Sequence, residues 1–120
     1  MSRGQKLRKS QEFRTVYESG RRYNGSLMTA FVRRNAVGEH RLGVTASRKV
    51  SKLAVGRNRM KRLLRETFRL SDDSLRGLRG SYDWVLNTRP RLMEVKLDAA
   101  AEDFRKIVDR VAKDEADAGG

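Results

Sequence analysis

The chain predicts an α+β fold, a single-domain αββαβα sandwich with a small central sheet and helices packed on it. Three observations lead there. Segments of helical and strand periodicity follow one another as helix, strand, strand, helix, strand, helix. A length of 120 residues suits one modest core. No internal repeat or low-complexity run breaks the pattern, so residues 1–120 read as one domain.

Residues 1–9 are basic and polar, and a mobile arm anchored only by Leu7 is expected there. Ser10 has the chemistry of an N-cap. Phe13, Val16 and Tyr17 then follow at helical spacing, and Gly20 ends the helix. Residues 26–34 alternate as a strand, with Leu27, Thr29 and Phe31 on one side and Met28, Ala30 and Val32 on the other. Asn35 to His40, with Gly38, reads as a solvated hairpin connection to a return strand at 41–47. That strand turns Leu42, Val44 and Ala46 to the core, and its Gly43 lets another chain approach closely. A helix runs from about Val55 to Leu70. Residues 71–81 form a polar linker with room for one helical turn. Tyr82 to Thr88 is a third strand, stopped by Arg89-Pro90. Residues 95–113 are an amphipathic helix on Leu97, Ala101, Phe104, Val108 and Val111, and 114–120 should fray.

A net charge of +13 and a pI near 11.0 point to a polyanionic partner. The charge is uneven. Residues 94–120 hold five bases and eight acids, which leaves +16 on residues 1–93. Cysteine is absent, which removes disulfides and thiolate metal sites and suits a reducing cytoplasm. No apolar stretch has the length of a membrane span, and no apolar segment follows the basic start as a secretory signal requires. No membrane partner is expected.

The densest feature is the window 48–69, with nine Lys or Arg and one acid, Glu66. On a helix, Met60, Leu63, Leu64, Thr67 and Phe68 fall on one side. Arg57, Asn58, Lys61, Arg62, Arg65 and Arg69 fall on the other. Like charges four residues apart repel, and Glu66 alone can relieve them. Such a face calls for an external counter-charge, and guanidinium groups suit phosphate. Asn58 has two readings, a bond to RNA or a local backbone cap. Gly56 has two as well, the start of the helix or a point where RNA comes close.

Residues 54–66, Ala-Val-Gly-Arg-Asn-Arg-Met-Lys-Arg-Leu-Leu-Arg-Glu, resemble the signature of the bacterial ribonuclease P protein subunit. Three further blocks are similar to that family in the same order: Phe13-x-x-Val16-Tyr17-x-x-Gly20, Arg41-Leu42-Gly43-Val44-Thr45 with Ser47-Arg48-Lys49, and Asp83-Trp84-Val85-Leu86-x-x-Arg89. The resemblance implies a subunit of an endoribonuclease that removes the 5′ leader of precursor tRNA. It also implies that the RNA subunit carries the hydrolysis, with Mg2+ bound mainly by that RNA and not by a protein site. The partners so implied are ribonuclease P RNA and precursor tRNA, with the protein a monomer outside the holoenzyme. The family fold joins two parallel strands by a left-handed crossover through the signature helix, where general rules predict a right-handed one.

By this resemblance the signature residues Arg57, Asn58, Arg59, Lys61, Arg62, Arg65 and Arg69 bind the catalytic RNA. Phe13, Tyr17, Phe31, Arg48, Lys49, Lys52 and Arg89 bind the leader, with Thr29 as another residue for the cleft floor. Phe13 and Tyr17 keep two readings, a stacking platform for unpaired bases or core packing. Trp84 reads as core. No catalytic residue is expected in the chain itself. Its only histidine, His40, falls in a loop, and Asp72-Asp73 reads as a helix-end pair and not a metal site. The competing class, a structural ribosomal or other basic RNA-binding protein without an enzyme role, fits the composition equally well. It has no need of both the signature helix and the aromatic first helix. A basic DNA-binding module lacks a second helix-turn-helix element and a dimer seam.

Overall fold

The strand Tyr82–Thr88 (β5) is buried along nearly all its length, and the chain is arranged around it. The computed structural model describes residues 5–119. Its sheet contains β1 (Gln5–Lys6), β2 (Arg21–Asn24), β3 (Met28–Arg34), β4 (Arg41–Thr45) and β5, in the spatial order β1-β4-β5-β3-β2. β5 runs antiparallel to β3, from Met28↔Thr88 to Arg34↔Tyr82, and parallel to β4, from Arg41↔Asp83 to Thr45↔Asn87.

The expected hairpin between 26–34 and 41–47 therefore does not form, because β5 lies between those strands. Its Tyr82, Trp84 and Leu86 feed one core and its Val85 feeds another, which suits the centre of the sheet. The hairpin that exists joins β2 to β3, with Asn24 opposite Thr29. Periodicity misses β2 because only Tyr23 of its four residues is buried. Charged residues suit such an edge strand, since they discourage pairing with another chain.

The helices are α1 (Ser10–Ser19), α2 (Ala54–Leu70), α3 (Asp72–Arg76) and α4 (Leu97–Gly119), with a 3₁₀ turn at Pro90–Glu94. α2 and α4 share the main core with Trp84, Leu86 and Met28, through Met60, Leu64, Phe104 and Ile107. Trp84 is fully buried, with Phe104 edge-on at 5.4 Å. α1 covers the opposite face over a smaller core of Leu7, Val16 and Val85, flanked by Phe13 and Phe31. The parallel connection from β4 through α2 and α3 to β5 is the crossover that sets the basic helix on the sheet. Among the described residues no helix is long and apolar enough to cross a membrane.

Four local expectations need correction. Within the expected arm, residues 1–4 lie outside the described residues, but Gln5 and Lys6 pair with Arg41 and Leu42, and Leu7 is buried. Ser10 is the first helical residue and Lys9 the cap. Glu12 reaches back to accept the N–H groups of Arg8 and Lys9 at 2.9 and 3.0 Å. The stretch 114–119 is helical rather than frayed. Glu115 accepts from the backbone N–H groups of Arg79 and Gly80 and from the Tyr82 hydroxyl, and Asp114 holds the Tyr23 hydroxyl.

His40 is the fourth. It is half-buried, not solvated. Its Nδ1 accepts from the Tyr82 backbone N–H at 3.2 Å and from Trp84 Nε1–H at 3.1 Å. Two donors on Nδ1 require the proton on Nε2, which then donates to the Leu75 carbonyl at 3.2 Å. Burial lowers the His40 pKa, against the opposing pull of the Leu75 carbonyl and the charges of Glu115 and Asp72. The histidine is a neutral clamp joining α3 to β5.

Candidate nucleic-acid interface

α2 is 17 residues long, and its two sides divide as the sequence predicts. Met60, Leu64, Thr67 and Phe68 are buried, and Leu63 packs against the same core. Asn58, Arg59, Arg62, Arg65 and Arg69 are exposed, and Arg57 and Lys61 are half-buried. Among the described residues none of Arg57, Arg59, Lys61, Arg62 or Arg65 enters an ion pair. Arg69 differs. It grips Glu66 through Nε and Nη2, at 2.8 to 3.2 Å, and holds that carboxyl below its ordinary pKa. The expected relief by Glu66 is thus spent on one cation.

Arg57 has a second task. Its Nη1 donates to the carbonyls of Ser51 and Lys52 at 2.9 and 3.0 Å, tying the preceding loop to the first turn of the helix. Gly56 belongs to this junction. A Cβ there would lie 2.6 Å from Ser51 Oγ, so the residue admits the loop. It is the third residue of the helix, not its start. Asn58 makes no side-chain hydrogen bond among the described residues, so it is not a local cap. The loop brings Arg48, Lys49 and Lys52 beside Ala54 and Arg57 in one shallow hollow. Three cations expected at the leader cleft therefore adjoin the basic helix, and the two expected groups run together.

The aromatic group lies on the other face of the sheet. Phe13 sits on β4 where Gly43 leaves room, and a Cβ at Gly43 would be 2.5 Å from Phe13 Cζ. The close approach expected at Gly43 is real, and its partner is this chain's own α1. Phe13 is half-buried against the small core, whereas Tyr17 is 38% exposed. Tyr17 meets Phe31 edge-on, with centroids 4.8 Å apart and planes at 81°. Arg22 stands 5.7 Å from the Phe31 centroid, over its face. A hollow beside Tyr17 is lined by Arg8, Ser10, Phe13, Arg14, Val44 and Thr45. Thr29 is buried under this face, and Arg89 is exposed at the end of β5.

The floor is held by polar contacts. Arg41 binds Asp83 through Nε and Nη2 at 2.6 and 2.7 Å and stands 3.6 Å from Glu12, joining β4, β5 and α1. Asn87 Oδ1 accepts from the Tyr17 hydroxyl at 2.9 Å and from the Thr45 hydroxyl at 2.7 Å. Arg8, Arg14, Arg22 and Asn87 are absent from the sequence expectations. Arg14 was within reach, lying three residues before Tyr17 and so on the same side of α1. Arg22 depended on the unrecognised β2, and Asn87 on the parallel register of β4 and β5.

The arrangement offers a row of unpaired cations for a phosphate backbone and an exposed aromatic with flanking arginines for unpaired bases. Among the described residues no three His, Cys, Asp or Glu side chains come together to hold a metal ion.

Over most of its length the chain is similar to proteins of one family. The family described as Ribonuclease P matches residues 1–112. The ribonuclease P protein component of Clostridium botulinum (strain Loch Maree / Type A3) is 42% identical over 84 residues, covering 70% of this chain and 73% of that protein. The corresponding component of Azotobacter vinelandii is 38% identical over 103 residues, 85% of this chain and 76% of that protein. Among solved structures, the RNase P protein of Thermotoga maritima superposes with a TM-score of 0.76 at 25% identity, over 88% of this chain and 96% of that one. The Staphylococcus aureus RNase P protein shares the fold, with a TM-score of 0.74 at 21% identity over 92% and 97% of the two chains.

Proposed function

Because the chain belongs to the ribonuclease P protein family, we propose that its part in tRNA 5′ processing is to hold two RNAs at once. α2 anchors the catalytic RNA of the holoenzyme through Arg57, Asn58, Arg59, Lys61, Arg62, Arg65 and Arg69. The face beneath α1 receives the 5′ leader of precursor tRNA. There Tyr17 offers a ring for unpaired bases, and Phe13 and Phe31 fix its setting. Arg8, Arg14, Arg48, Lys49, Lys52 and Arg89 follow the leader's phosphates. The RNA subunit carries out the hydrolysis. Magnesium, on this reading, is held mainly by that RNA and not by a site on this chain.

The observation that carries the proposal is the unpaired state of the α2 cations. Five basic side chains share one helix with no ion-pair partner among the described residues. Such a row gains by meeting a polyanion. The protein's work is positioning and charge neutralisation, which lower the magnesium needed by an RNA catalyst.

The test is reconstitution with a bacterial ribonuclease P RNA. At low magnesium, protein and RNA together should release the leader, while either alone should not. Leader release that follows RNA-free protein through purification would overturn the assignment of chemistry to RNA. Failure of the protein to stimulate the RNA would overturn the assignment of function.

A further inference from the structure

Asn87 occupies the floor of the α1 face and is coordinated from one end only. The two hydroxyls of Tyr17 and Thr45 converge on its Oδ1, at 2.9 and 2.7 Å. An amide oxygen has two lone pairs, so this acceptor is full. The Nδ2 amino group carries two further N–H donors, and no side chain or carbonyl among the described residues accepts them. Among the described residues, the buried side-chain atoms left without a partner are the hydroxyls of Thr67 and Thr88, and Nδ2 is not one of them. Asn87 is half-buried rather than enclosed, and its amide lies at the hydroxyl of Tyr17.

The placement is rigid. Asn87 lies on the central strand, between Thr45 of β4 and Thr29 of β3. Its amide is oriented by two hydroxyls on different elements, one on α1 and one on β4. On this face Arg8, Arg14 and Arg22 are cations that match phosphate, while Glu12 and Asp83 are engaged by Arg41. Aromatic rings accept any base. Asn87 is the neutral, directional donor among them, and directional hydrogen bonds to base edges are what carry sequence information.

We propose that Asn87 is a specificity-determining residue for the leader, donating through Nδ2 to an acceptor atom on the base seated against Tyr17. This rests on the reading of the α1 face as the leader site. It adds that the site is not indifferent to sequence. One leader position should favour bases that present a ring nitrogen or carbonyl oxygen to the amide, by roughly two- to tenfold for a single hydrogen bond.

The experiment uses the reconstituted holoenzyme and a set of precursor tRNAs carrying each of the four bases at each leader position in turn. Affinities are measured for wild type, Asn87→Ala and Asn87→Asp, with mature tRNA as reference and thermal melts of each protein. Asn87→Asp keeps an acceptor for both hydroxyls but removes the donors. Its added negative charge weakens all leaders together, so the readout is the relative preference among bases. Wild type should discriminate at one position, and both variants should flatten that discrimination while mature tRNA binds as before. A folded variant that loses affinity equally for every leader, with the base profile unchanged, would reduce Asn87 to a prop for Tyr17 and overturn the proposal. A wild-type holoenzyme that binds precursor and mature tRNA alike would instead overturn the leader site itself, and this proposal with it.

Discussion

Replacing Arg59, Arg62 and Arg65 together by Ala should flatten the salt dependence of binding to the catalytic RNA. All three are exposed and unpaired among the described residues. The packed side of α2, with Met60, Leu64, Thr67 and Phe68, is untouched. Alanine is also a better helix former than arginine, so the helix should persist. Each phosphate contact contributes about 0.7–0.9 to the log–log slope of affinity against salt, so three lost contacts remove about 2–2.7. Between about 50 and 200 mM salt, the deficit of the variant should then shrink by roughly 20- to 40-fold. Arg69 supplies an internal control. Glu66 already neutralises it, so Arg69→Ala should change the slope by less than any of the three, and Glu66→Ala should steepen it by releasing Arg69. The assay is equilibrium binding to the RNA across a salt series, with circular dichroism melts to establish folding. A folded triple variant with the wild-type slope would refute the argument and send the RNA surface elsewhere.

Other outcomes follow from the packing. Gly43→Ala would drive a methyl into the Phe13 ring and should cost about 1–3 kcal/mol. Combining it with Phe13→Ala should cost less than the sum in denaturant melts, and strict additivity would mean that the two do not touch. Asp83→Ala leaves the guanidinium of Arg41 facing a vacated, largely buried site and should cost about 3–5 kcal/mol; a loss under about 1 kcal/mol would show that the pair is exposed in solution. His40 has its folded pKa below the ordinary value because burial disfavours imidazolium. Its contribution is therefore complete above about pH 6.5 and is lost as pH falls through the lowered folded pKa. Melting temperature should drop more steeply on acidification in wild type than in His40→Gln, and parallel curves would remove the histidine from the account.

Much of this was legible in the sequence where one physical pattern dominated. The amphipathic division of residues 57–69 emerged intact, because cations and apolar residues alternate there at helical spacing with only Glu66 to confuse them. Tyr82 to Thr88 emerged as a strand with its bounds because apolar residues alternate and Arg89-Pro90 follows. The pairing of that strand did not emerge. Alternation describes a strand alone, and the insertion of β5 between β3 and β4 depends on which faces other elements cover. Short polar strands were invisible for a related reason, as Arg-Arg-Tyr-Asn in β2 buries only Tyr23. His40 looked like a loop residue because its partners, Leu75, Tyr82 and Trp84, are distant in sequence and local chemistry cannot report them. In the candidate site, residue types were enough to single out the cations and aromatics proposed to meet RNA. Asn87 needed the register that sets it beside Thr45.

The central claim is that one small protein grips the catalytic RNA with α2 and the leader with the face under α1. The most direct measurement compares the affinities of precursor and mature tRNA for the RNA subunit alone, for the wild-type holoenzyme and for the Tyr17→Ala holoenzyme. The protein should raise affinity for precursor tRNA and leave that for mature tRNA nearly unchanged. Tyr17→Ala should remove about 1–3 kcal/mol of the gain, with little change in melting temperature because the residue is already 38% exposed. Equal gains for the two tRNAs, or a Tyr17→Ala holoenzyme that still prefers precursor tRNA as strongly as wild type, would contradict it.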